Sequence, residues 1–294
     1  MGNQMFMYAA GLSAAERLNT PLRFGAWDFD RLTRMDRPWL LSCFPAITEA
    51  NASFSETWNI CPRLALLNHL NRRPIKKYHL FRYLTRKFVS KFIRNVHTYE
   101  ADYVSYSPEF ENIPDNMYIT GYFESEKVFA GIKDIVRKKF EFAPKYFNLA
   151  LLEKVKSCNS VALHVRMGDK VFGKKHYASD SGYIRKAAEK ISGLTESPKF
   201  FVFSDDIAWC RENLPQIYDT EYTFIDGQTE PQDMALMTKC KHVIMGPSTF
   251  SWWGAWLNDN PDKIIISPDV NLWYKQYNPE DSKYLLPDEW IKIS

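Results

Sequence analysis

Three short polar segments in the second half of this 294-residue chain carry side chains that can bind phosphate groups and sugars. The first is HVRMGD, from His164 to Asp169. His164 and Arg166 are two residues apart and share one face if they lie on a strand. The planar guanidinium of an arginine suits phosphate oxygens, and Gly168 allows a close backbone approach. The segment indicates an anion site, and the alternative is a purely structural ion pair between Arg166 and Asp169.

The second segment, Ser204-Asp205-Asp206, ends an apolar run that begins at Lys199. Carboxylates at this position can accept hydrogen bonds from ribose hydroxyls or from the N1–H and amino group of guanine. Aspartate is also a preferred N-cap residue of helices. We therefore expect one of the two aspartates to cap the helix that follows.

The third segment is GPSTFSWWGAW, which begins at Gly246. Ser248 and Thr249 stand where a helix begins, and the amides and dipole of a helix N-terminus form an anion site. Phe250 can cover the face of a base or a sugar. The three tryptophans, at positions 252, 253 and 256, are predicted to be core residues.

Together the three segments predict a nucleotide-diphosphate site that has no glycine-rich phosphate loop, since neither GxGxxG nor GxxxxGK[ST] occurs. A DxD pattern can hold a divalent metal, and the only one in the sequence is Asp28-Phe29-Asp30. Because it lies far from the three segments in sequence, we interpret it as a surface turn.

The elements that position these segments alternate between strands and helices. In the second half, strands are predicted at 160–166, 199–206, 222–226, 242–246 and 263–268, and helices near 183–191, 208–213, 232–240 and 249–258. This alternation predicts a parallel, doubly wound sheet, which binds ligands outside the carboxyl ends of its strands. In the first half a turn at 2–4, a helix over 5–18, a strand at 117–121 and a helix over 126–140 are predicted. A pause at 142–151 divides the chain into residues 1–150 and 151–294, two α/β halves with a cleft between them.

Composition excludes several other classes. The net charge of +3 gives no reason to expect nucleic acid, and the five scattered cysteines lack zinc spacing, which fits reduced thiols in a cytosol. No apolar run is long enough to span a bilayer. The stretch between Glu56 and Glu100 has basic but no acidic residues and reads as two amphipathic helices divided at Pro74. Residues 63–94 are either a peripheral contact with an anionic membrane or a solvated face of the first domain.

The order of the motifs HVRMGD, VFSDD, DMALMTKCKHVI and PSTFSWWGAWL resembles the bacterial α-1,2-fucosyltransferases of glycosyltransferase family eleven. GNQMFMYAAGLSAA and GYFESEKVF, in the first half, are similar to the same family, so the likeness extends from Gly2 to about Pro268. It implies a GT-B fold, in which two Rossmann-like domains face each other across a cleft. It also implies GDP-β-L-fucose as donor, an inverting transfer, and no cofactor or metal.

The resemblance implies donor contacts for the following residues: Arg166 on the pyrophosphate, His164 beside it, Asp205 or Asp206 on guanine or ribose, Ser248, Thr249 and Phe250 along the phosphates, and Gly2, Asn3 and Gln4 facing the donor from the first domain. Two positions depart from the family pattern. Met167 stands where a second arginine is usual, and Pro247 stands where an asparagine is common.

Breaking the bond between fucose and GDP leaves negative charge on the β-phosphate. Without a metal, Arg166 and the helix amides are expected to stabilise it. Inversion requires the acceptor hydroxyl to attack the opposite face of the sugar, and Asp169 is the candidate base. The alternative is that Asp169 only orients its loop and that the reaction needs no strong base.

The predicted function is transfer of L-fucose to the 2-hydroxyl of a terminal galactoside in a bacterial surface glycan, by a cytoplasmic enzyme. Two alternatives stay open: a non-catalytic module that binds sugar nucleotides or glycans, and a transferase that uses GDP-mannose or a UDP-sugar. Relatives carry a short strand and two glycines before GNQ, so the natural chain is expected to begin upstream of Met1.

Overall fold

The computed structural model describes residues 1–25, 38–62, 65–66, 98–100, 106–167, 182–273 and 282–294. Several predictions fall outside these residues: the DxD pattern of Asp28 and Asp30, most of the basic stretch over 63–94, and the loop that holds Gly168 and Asp169.

The first half is mainly helical around one short pair of parallel strands. Its elements are α1 (Gly2–Leu18), α2 (Phe54–Ile60), β1 (Thr98–Glu100), β2 (Tyr118–Thr120), a 3-10 helix (Glu126–Ile132), α3 (Lys133–Lys139) and α4 (Leu149–Lys156). Strand β1 pairs with β2 in parallel. The division of the chain near residue 150 stays a prediction.

Two predictions for this half need correction. Gly2 to Gln4 do not form a turn but the first turn of α1, because the glycine there permits a close helix contact rather than a chain reversal. The helix predicted over 126–140 is divided into a 3-10 helix and α3, and Phe129 leaves helical geometry at φ −126°.

The second half is one six-stranded parallel sheet with helices between its strands. Its strands are β3 (Ser160–Val165), β4 (Lys199–Ser204), β5 (Tyr222–Phe224), β6 (His242–Ile244), β7 (Ile265–Pro268) and β8 (Ile291–Ile293). Its helices are α5 (Tyr183–Leu194), α6 (Ile207–Ile217), α7 (Glu230–Met237) and α8 (Thr249–Trp256). The strand order is β5-β4-β3-β6-β7-β8, and each neighbouring pair is parallel. This is the order of a Rossmann-like sheet.

The predicted α/β class is therefore confirmed, with parallel strands in both halves. Strand β3 is buried along its whole length, as expected for a central strand covered on both faces. Strand β8 was not predicted, because Ile-Lys-Ile is too short to stand out from its surroundings.

A cluster of aromatic side chains joins the two halves. Trp252 and Trp253 of α8 are completely buried, which confirms the prediction that the tryptophans are core residues. Phe6 of α1 lies with its ring centroid 4.6 Å from Trp252 and 4.8 Å from Trp253, and Phe129 stacks on Trp253 at 5.5 Å. Contacts of this kind add to the burial of a large apolar area. The first half is thus held against the helix whose N-terminus lies at the predicted site.

Candidate active site

The polar segments converge where the sheet reverses its strand order. The chain runs outward from β3 through β4 to β5 and then returns to the other side of β3 as β6. The crevice between the carboxyl ends of β3 and β6 is the ligand position in sheets of this kind. A methyl group on Gly246, just after β6, would lie 2.8 Å from the His164 carbonyl oxygen and 3.0 Å from its Nδ1. Only glycine allows the two strand ends to approach this closely.

Arg166 is held at this crevice by Asp205 from the neighbouring strand end. The Arg166 Nη1 atom lies 3.1 Å from Asp205 Oδ2, and the side chains keep 25% and 26% of their surface exposed. The other carboxylate oxygen of Asp205 accepts a hydrogen bond from the Met167 amide at 2.8 Å. One carboxylate therefore orients both the guanidinium and the backbone that follows β3.

Asp206 has a different role from its neighbour. Its Oδ1 accepts a hydrogen bond from the Trp209 amide at 3.1 Å, which makes it the N-cap of α6. The prediction that one of the two aspartates caps the helix is confirmed. The two adjacent carboxylates thus divide between helix capping and the orientation of Arg166.

This division predicts different results for the two aspartates. Replacing Asp206 by alanine should lower the free energy of unfolding by about 1 kcal/mol, because a helix loses its cap. Replacing Asp205 by alanine should instead weaken the binding of a nucleoside diphosphate, for which GDP is the probe, because Arg166 loses its orientation. Chemical denaturation and calorimetric titration with GDP measure the two effects. Equal loss of GDP affinity in both variants would contradict the division.

Helix α8 begins at the same crevice. Ser248 is its N-cap, and its Oγ accepts a hydrogen bond from the Phe250 amide at 3.2 Å. The ring of Phe250 lies 5.5 Å from that of His164, so the first turn of α8 stands beside the end of β3. The buried hydroxyl of Ser251 donates to the Gly246 carbonyl at 2.9 Å and fixes the loop between β6 and α8.

The N-terminal end of α1 meets the N-terminal end of α8. A methyl group on Gly2 would lie 2.5 Å from the Thr249 carbonyl carbon and 2.7 Å from the Phe250 nitrogen. The Thr249 hydroxyl donates a hydrogen bond to Asn3 Oδ1 at 2.5 Å. Two positive helix-dipole ends therefore lie side by side, an arrangement that favours an anion.

Gln4 points to another part of the first half. Its side-chain Nε2 donates to the Pro38 carbonyl at 2.8 Å, and its Oε1 accepts from the Leu40 amide at 2.9 Å. Both ends of its amide are thus used to hold the backbone of 38–40. The predicted site residues that the structure brings together are Gly2, Asn3, His164, Arg166, Asp205, Ser248, Thr249 and Phe250.

Two residues near the same edge of the sheet were missed by the sequence reasoning. The buried hydroxyl of Tyr183 donates to the Met245 carbonyl at 2.7 Å, which ties the start of α5 to the strand ends. Asp233, in the first turn of α7, accepts a hydrogen bond from Gln228 at 3.1 Å, and burial raises its pKa to about 6. The sequence signal for Asp233 was its place in the motif DMALMTKCKHVI.

Three further observations concern the cysteines, possible metal ligands and possible membrane spans. None of the five cysteines forms a disulfide, in agreement with the predicted reduced thiols. Within the described ranges, no group of three or more His, Cys, Asp or Glu side chains could hold a metal ion. In the same part of the chain, no helix is long and apolar enough to cross a membrane.

The arrangement can bind an anionic leaving group. It offers one oriented guanidinium, two converging helix N-termini and an aromatic ring beside a histidine, all at the switch point of a Rossmann-like sheet. Groups of this kind stabilise charge that develops on a phosphate without reorganising during the reaction.

The chain belongs to glycosyl transferase family 11, whose family model matches residues 67–294. The family predicted from the motifs is therefore confirmed, and the protein is a glycosyltransferase. O-antigen biosynthesis glycosyltransferase WbnK of Escherichia coli is 27% identical over 322 aligned residues, which cover 100% of this chain and 97% of WbnK. An alpha-1,2-colitosyltransferase of Escherichia coli is 28% identical over 314 aligned residues, which cover 100% of this chain and 96% of that protein.

Two further proteins are similar to part or most of the chain. Human galactoside alpha-(1,2)-fucosyltransferase 1 is 35% identical over 144 residues, 46% of this chain and 38% of the human protein. The crystal structure of NodZ alpha-1,6-fucosyltransferase soaked with GDP-fucose covers 92% of both chains at 13% identity, with a TM-score of 0.46.

Proposed function

We propose that the protein transfers L-fucose from GDP-β-L-fucose to the 2-hydroxyl of a terminal galactoside, with inversion, during the synthesis of a bacterial surface glycan. The observation that carries the proposal is the Arg166–Asp205 pair at the switch point, beside the converging ends of α1 and α8. Family membership and the names of the relatives, which include α-1,2-fucosyl and α-1,2-colitosyl transferases, support the class of sugar and linkage.

In the proposed reaction the bond between C1 of fucose and the β-phosphate oxygen breaks as the acceptor oxygen bonds to C1 from the opposite face. The electron pair of the broken bond stays on the β-phosphate of GDP. A guanidinium has five N–H donors, so Arg166 can hold Asp205 and a phosphate oxygen at the same time. The amides at the starts of α1 and α8 supply further donors to the same anion.

The acceptor hydroxyl loses its proton as it attacks. Asp169 remains the proposed base from the sequence pattern, and it lies outside the described residues. Attack opposite the leaving group turns the β-linked donor into an α-linked product.

Nucleotide binding distinguishes this proposal from the alternative of a transferase that uses another sugar nucleotide. We expect GDP to raise the melting temperature, and UDP and ADP to raise it less at equal concentration, because a ligand stabilises the state that binds it. Thermal unfolding with each nucleotide measures the difference. A larger shift with UDP would contradict the proposal, and a GDP shift without turnover on any galactoside would favour a non-catalytic binding module.

Independence from metal is part of the proposal. Activity should be unchanged after treatment with EDTA and on addition of Mg²⁺ or Mn²⁺, since the cationic side chain and the helix ends take the place of a metal. Initial rates of transfer measured with and without EDTA test this. Loss of activity that Mn²⁺ restores would contradict it.

A second candidate donor is nucleotide-linked colitose, since one relative that aligns over 100% of this chain is an alpha-1,2-colitosyltransferase. Colitose is fucose without its 3-hydroxyl. Comparing kcat/KM for the two donors on one acceptor decides between them.

We further propose that residues 63–94 contact an anionic membrane surface, and co-sedimentation with anionic vesicles at low salt tests this.

A further inference from the structure

The backbone is strained at the carboxyl end of β2. Phe123 has a φ of +55°, in the left-handed region that a bulky side chain rarely occupies, and Gly121 has a φ of +142°. The Ser125 amide donates a hydrogen bond to the Phe123 carbonyl at 2.7 Å and closes a tight turn. Strain of this kind persists where the surrounding structure holds a side chain in a required position. The side chain at the centre of this turn belongs to Glu124.

Glu124 is a buried carboxyl group that has no hydrogen-bond or ion-pair partner among the described residues. Only 4% of its surface is exposed, and it makes no hydrogen bond or ion pair with the part of the chain that the structure describes. A buried polar group in this condition is destabilising, and most such groups in folded proteins have partners. The turn therefore holds a carboxyl group whose hydrogen-bonding capacity is not used by the described residues.

Burial alone raises the pKa of Glu124 to about 8. The charged and titratable side chains on the elements around it are Glu16, Arg17, Tyr99, Glu100, Tyr106, Glu109, Glu111, Tyr122, Glu126, Lys127, Lys133, Lys283 and Tyr284. The four cations among them have other contacts. Lys133 pairs with Glu126 at 2.7 Å, Lys127 and Lys283 lie 3.5 Å and 5.0 Å from the centre of the Tyr284 ring, and Arg17 donates a hydrogen bond to the Phe110 carbonyl at 3.2 Å. Since no cation of the described residues offsets the burial, the carboxyl group is neutral at pH 7.

The turn that holds Glu124 is connected to α8 by hydrogen bonds to one short segment of backbone. The next residue, Ser125, donates a hydrogen bond from its hydroxyl to the Tyr284 carbonyl at 2.7 Å. The indole of Trp252 donates to the adjacent Leu285 carbonyl at 2.8 Å. Residues 284–285 thus connect the turn of Glu124 to the helix that begins at the donor site.

We propose that Glu124 binds the acceptor sugar as a neutral acid, donating its O–H to one sugar hydroxyl and accepting a hydrogen bond through its carbonyl oxygen. This inference rests on the proposed function. The acceptor is the partner because Glu124 belongs to the first half, whereas Arg166 and Asp205, which face the donor phosphates, belong to the second. In this role Glu124 is a binding residue and not the base that removes the acceptor proton.

The test uses Glu124→Gln, which keeps a neutral group of the same shape, and Glu124→Ala, which removes it. The exposed Glu153 of α4 provides the control Glu153→Gln. Initial rates are measured with GDP-fucose and the galactoside that the wild-type enzyme uses best. At pH 7 we expect Glu124→Gln to stay within about threefold of wild-type kcat/KM, and Glu124→Ala to raise the acceptor KM about tenfold with the donor KM unchanged.

The pH profile gives a readout that a structural role would not produce. The wild-type acceptor KM should rise as the pH passes about 8, where Glu124 ionises, while that of Glu124→Gln stays level. Stability provides a parallel measurement. The folded wild type keeps a proton that the unfolded chain loses above its ordinary pKa of 4.5, so its stability falls between pH 4.5 and about 8. Glu124→Gln should therefore melt at a higher temperature than wild type at pH 9 and at a similar temperature at pH 4.

Any of three other outcomes would overturn the proposal. Loss of activity in Glu124→Gln as large as in Glu124→Ala would show that the group must ionise, as a base does. Equal acceptor KM in wild type and both variants would show that Glu124 does not touch the acceptor, while leaving the proposed function intact. Failure of the wild-type enzyme itself to transfer fucose to any galactoside would overturn the proposed function and this inference with it.

Discussion

Replacement of Arg166 by alanine is expected to lower kcat/KM for fucosyl transfer more than tenfold. The guanidinium is the only side-chain cation that the described residues place at the crevice. In the proposed reaction its contact with the β-phosphate strengthens as the leaving group gains charge. A hydrogen bond to a charged group contributes about 1.5–3 kcal/mol, and 1.4 kcal/mol corresponds to tenfold in rate. Met167 stands where a second arginine is usual in the family. Because Arg166 lacks that neighbouring charge, the loss of Arg166 should be more severe.

The matched control for this variant is Lys199→Ala. Lys199 also pairs with a carboxylate, Glu221, at 2.6 Å, but it is the first residue of β4 and lies at the opposite edge of the sheet. Its exposed ion pair should contribute little to stability and nothing to catalysis. If Arg166→Ala kept more than about a tenth of wild-type kcat/KM, the role given to Arg166 would be wrong. Thermal unfolding of both variants checks that any loss is not a loss of fold.

The second large effect is expected at Gly246. In the Gly246→Ala variant the added methyl group meets the backbone carbonyl of His164 at 2.8 Å, and backbone cannot rotate away as a flexible side chain can. The ends of β3 and β6 must separate, which moves Arg166 and the start of α8 relative to each other. We expect a lower melting temperature and a loss of GDP affinity of about tenfold or more, since overpacking in a core commonly costs about 1–3 kcal/mol.

Gly193→Ala is the control for this substitution. Gly193 lies inside α5, and an added methyl group meets no atom within 4 Å. Alanine is the better helix former, so this variant should be as stable as wild type or more stable by up to about 1 kcal/mol. Melting curves and titration with GDP are measured on both variants. Equal behaviour of Gly246→Ala and Gly193→Ala would show that the two strand ends need not approach closely.

The sequence predicted the second half of the fold well because its signals are local. Apolar, β-branched runs such as the one that ends at Val165 predict buried parallel strands. Polar residues at the ends of these runs indicate the edge of the sheet at which ligands bind. The tryptophans of α8 were correctly predicted to be core residues. Strand β8 gave no such signal, since three residues at the edge of a sheet carry too little pattern.

The site was predicted in its residue types but not in its pairings. The alternative ion pair of Arg166 with Asp169 lies outside the described residues and stays a prediction. The ion pair that the structure does show, between Arg166 and Asp205, joins residues 39 positions apart and was not predicted. Such contacts depend on strand order, which periodicity does not encode. Gln4 illustrates the same limit, because its neighbours in GNQ face α8 while its own amide holds the backbone at Pro38 and Leu40.

Glu124 shows what only a folded structure can reveal. In sequence it is one acidic residue within GYFESEKVF, next to Glu126, and nothing distinguishes the two. In the structure Glu126 is paired with Lys133, whereas Glu124 is buried in a strained turn with its pKa raised to about 8. Burial and pairing, which separate a surface charge from a binding group, are properties of the tertiary fold.

The central claim is that this site transfers fucose from GDP-β-L-fucose to the 2-hydroxyl of a galactoside. The most direct measurement is incubation of the protein with GDP-fucose and a panel of galactosides and non-galactoside glycans, followed by NMR of the products. We expect a new fucosyl residue in α linkage to the 2-position of a terminal galactose, formed by wild-type protein and not by Arg166→Ala. Fucose in β linkage, fucose on another sugar or position, or no transfer from GDP-fucose to any galactoside would contradict it.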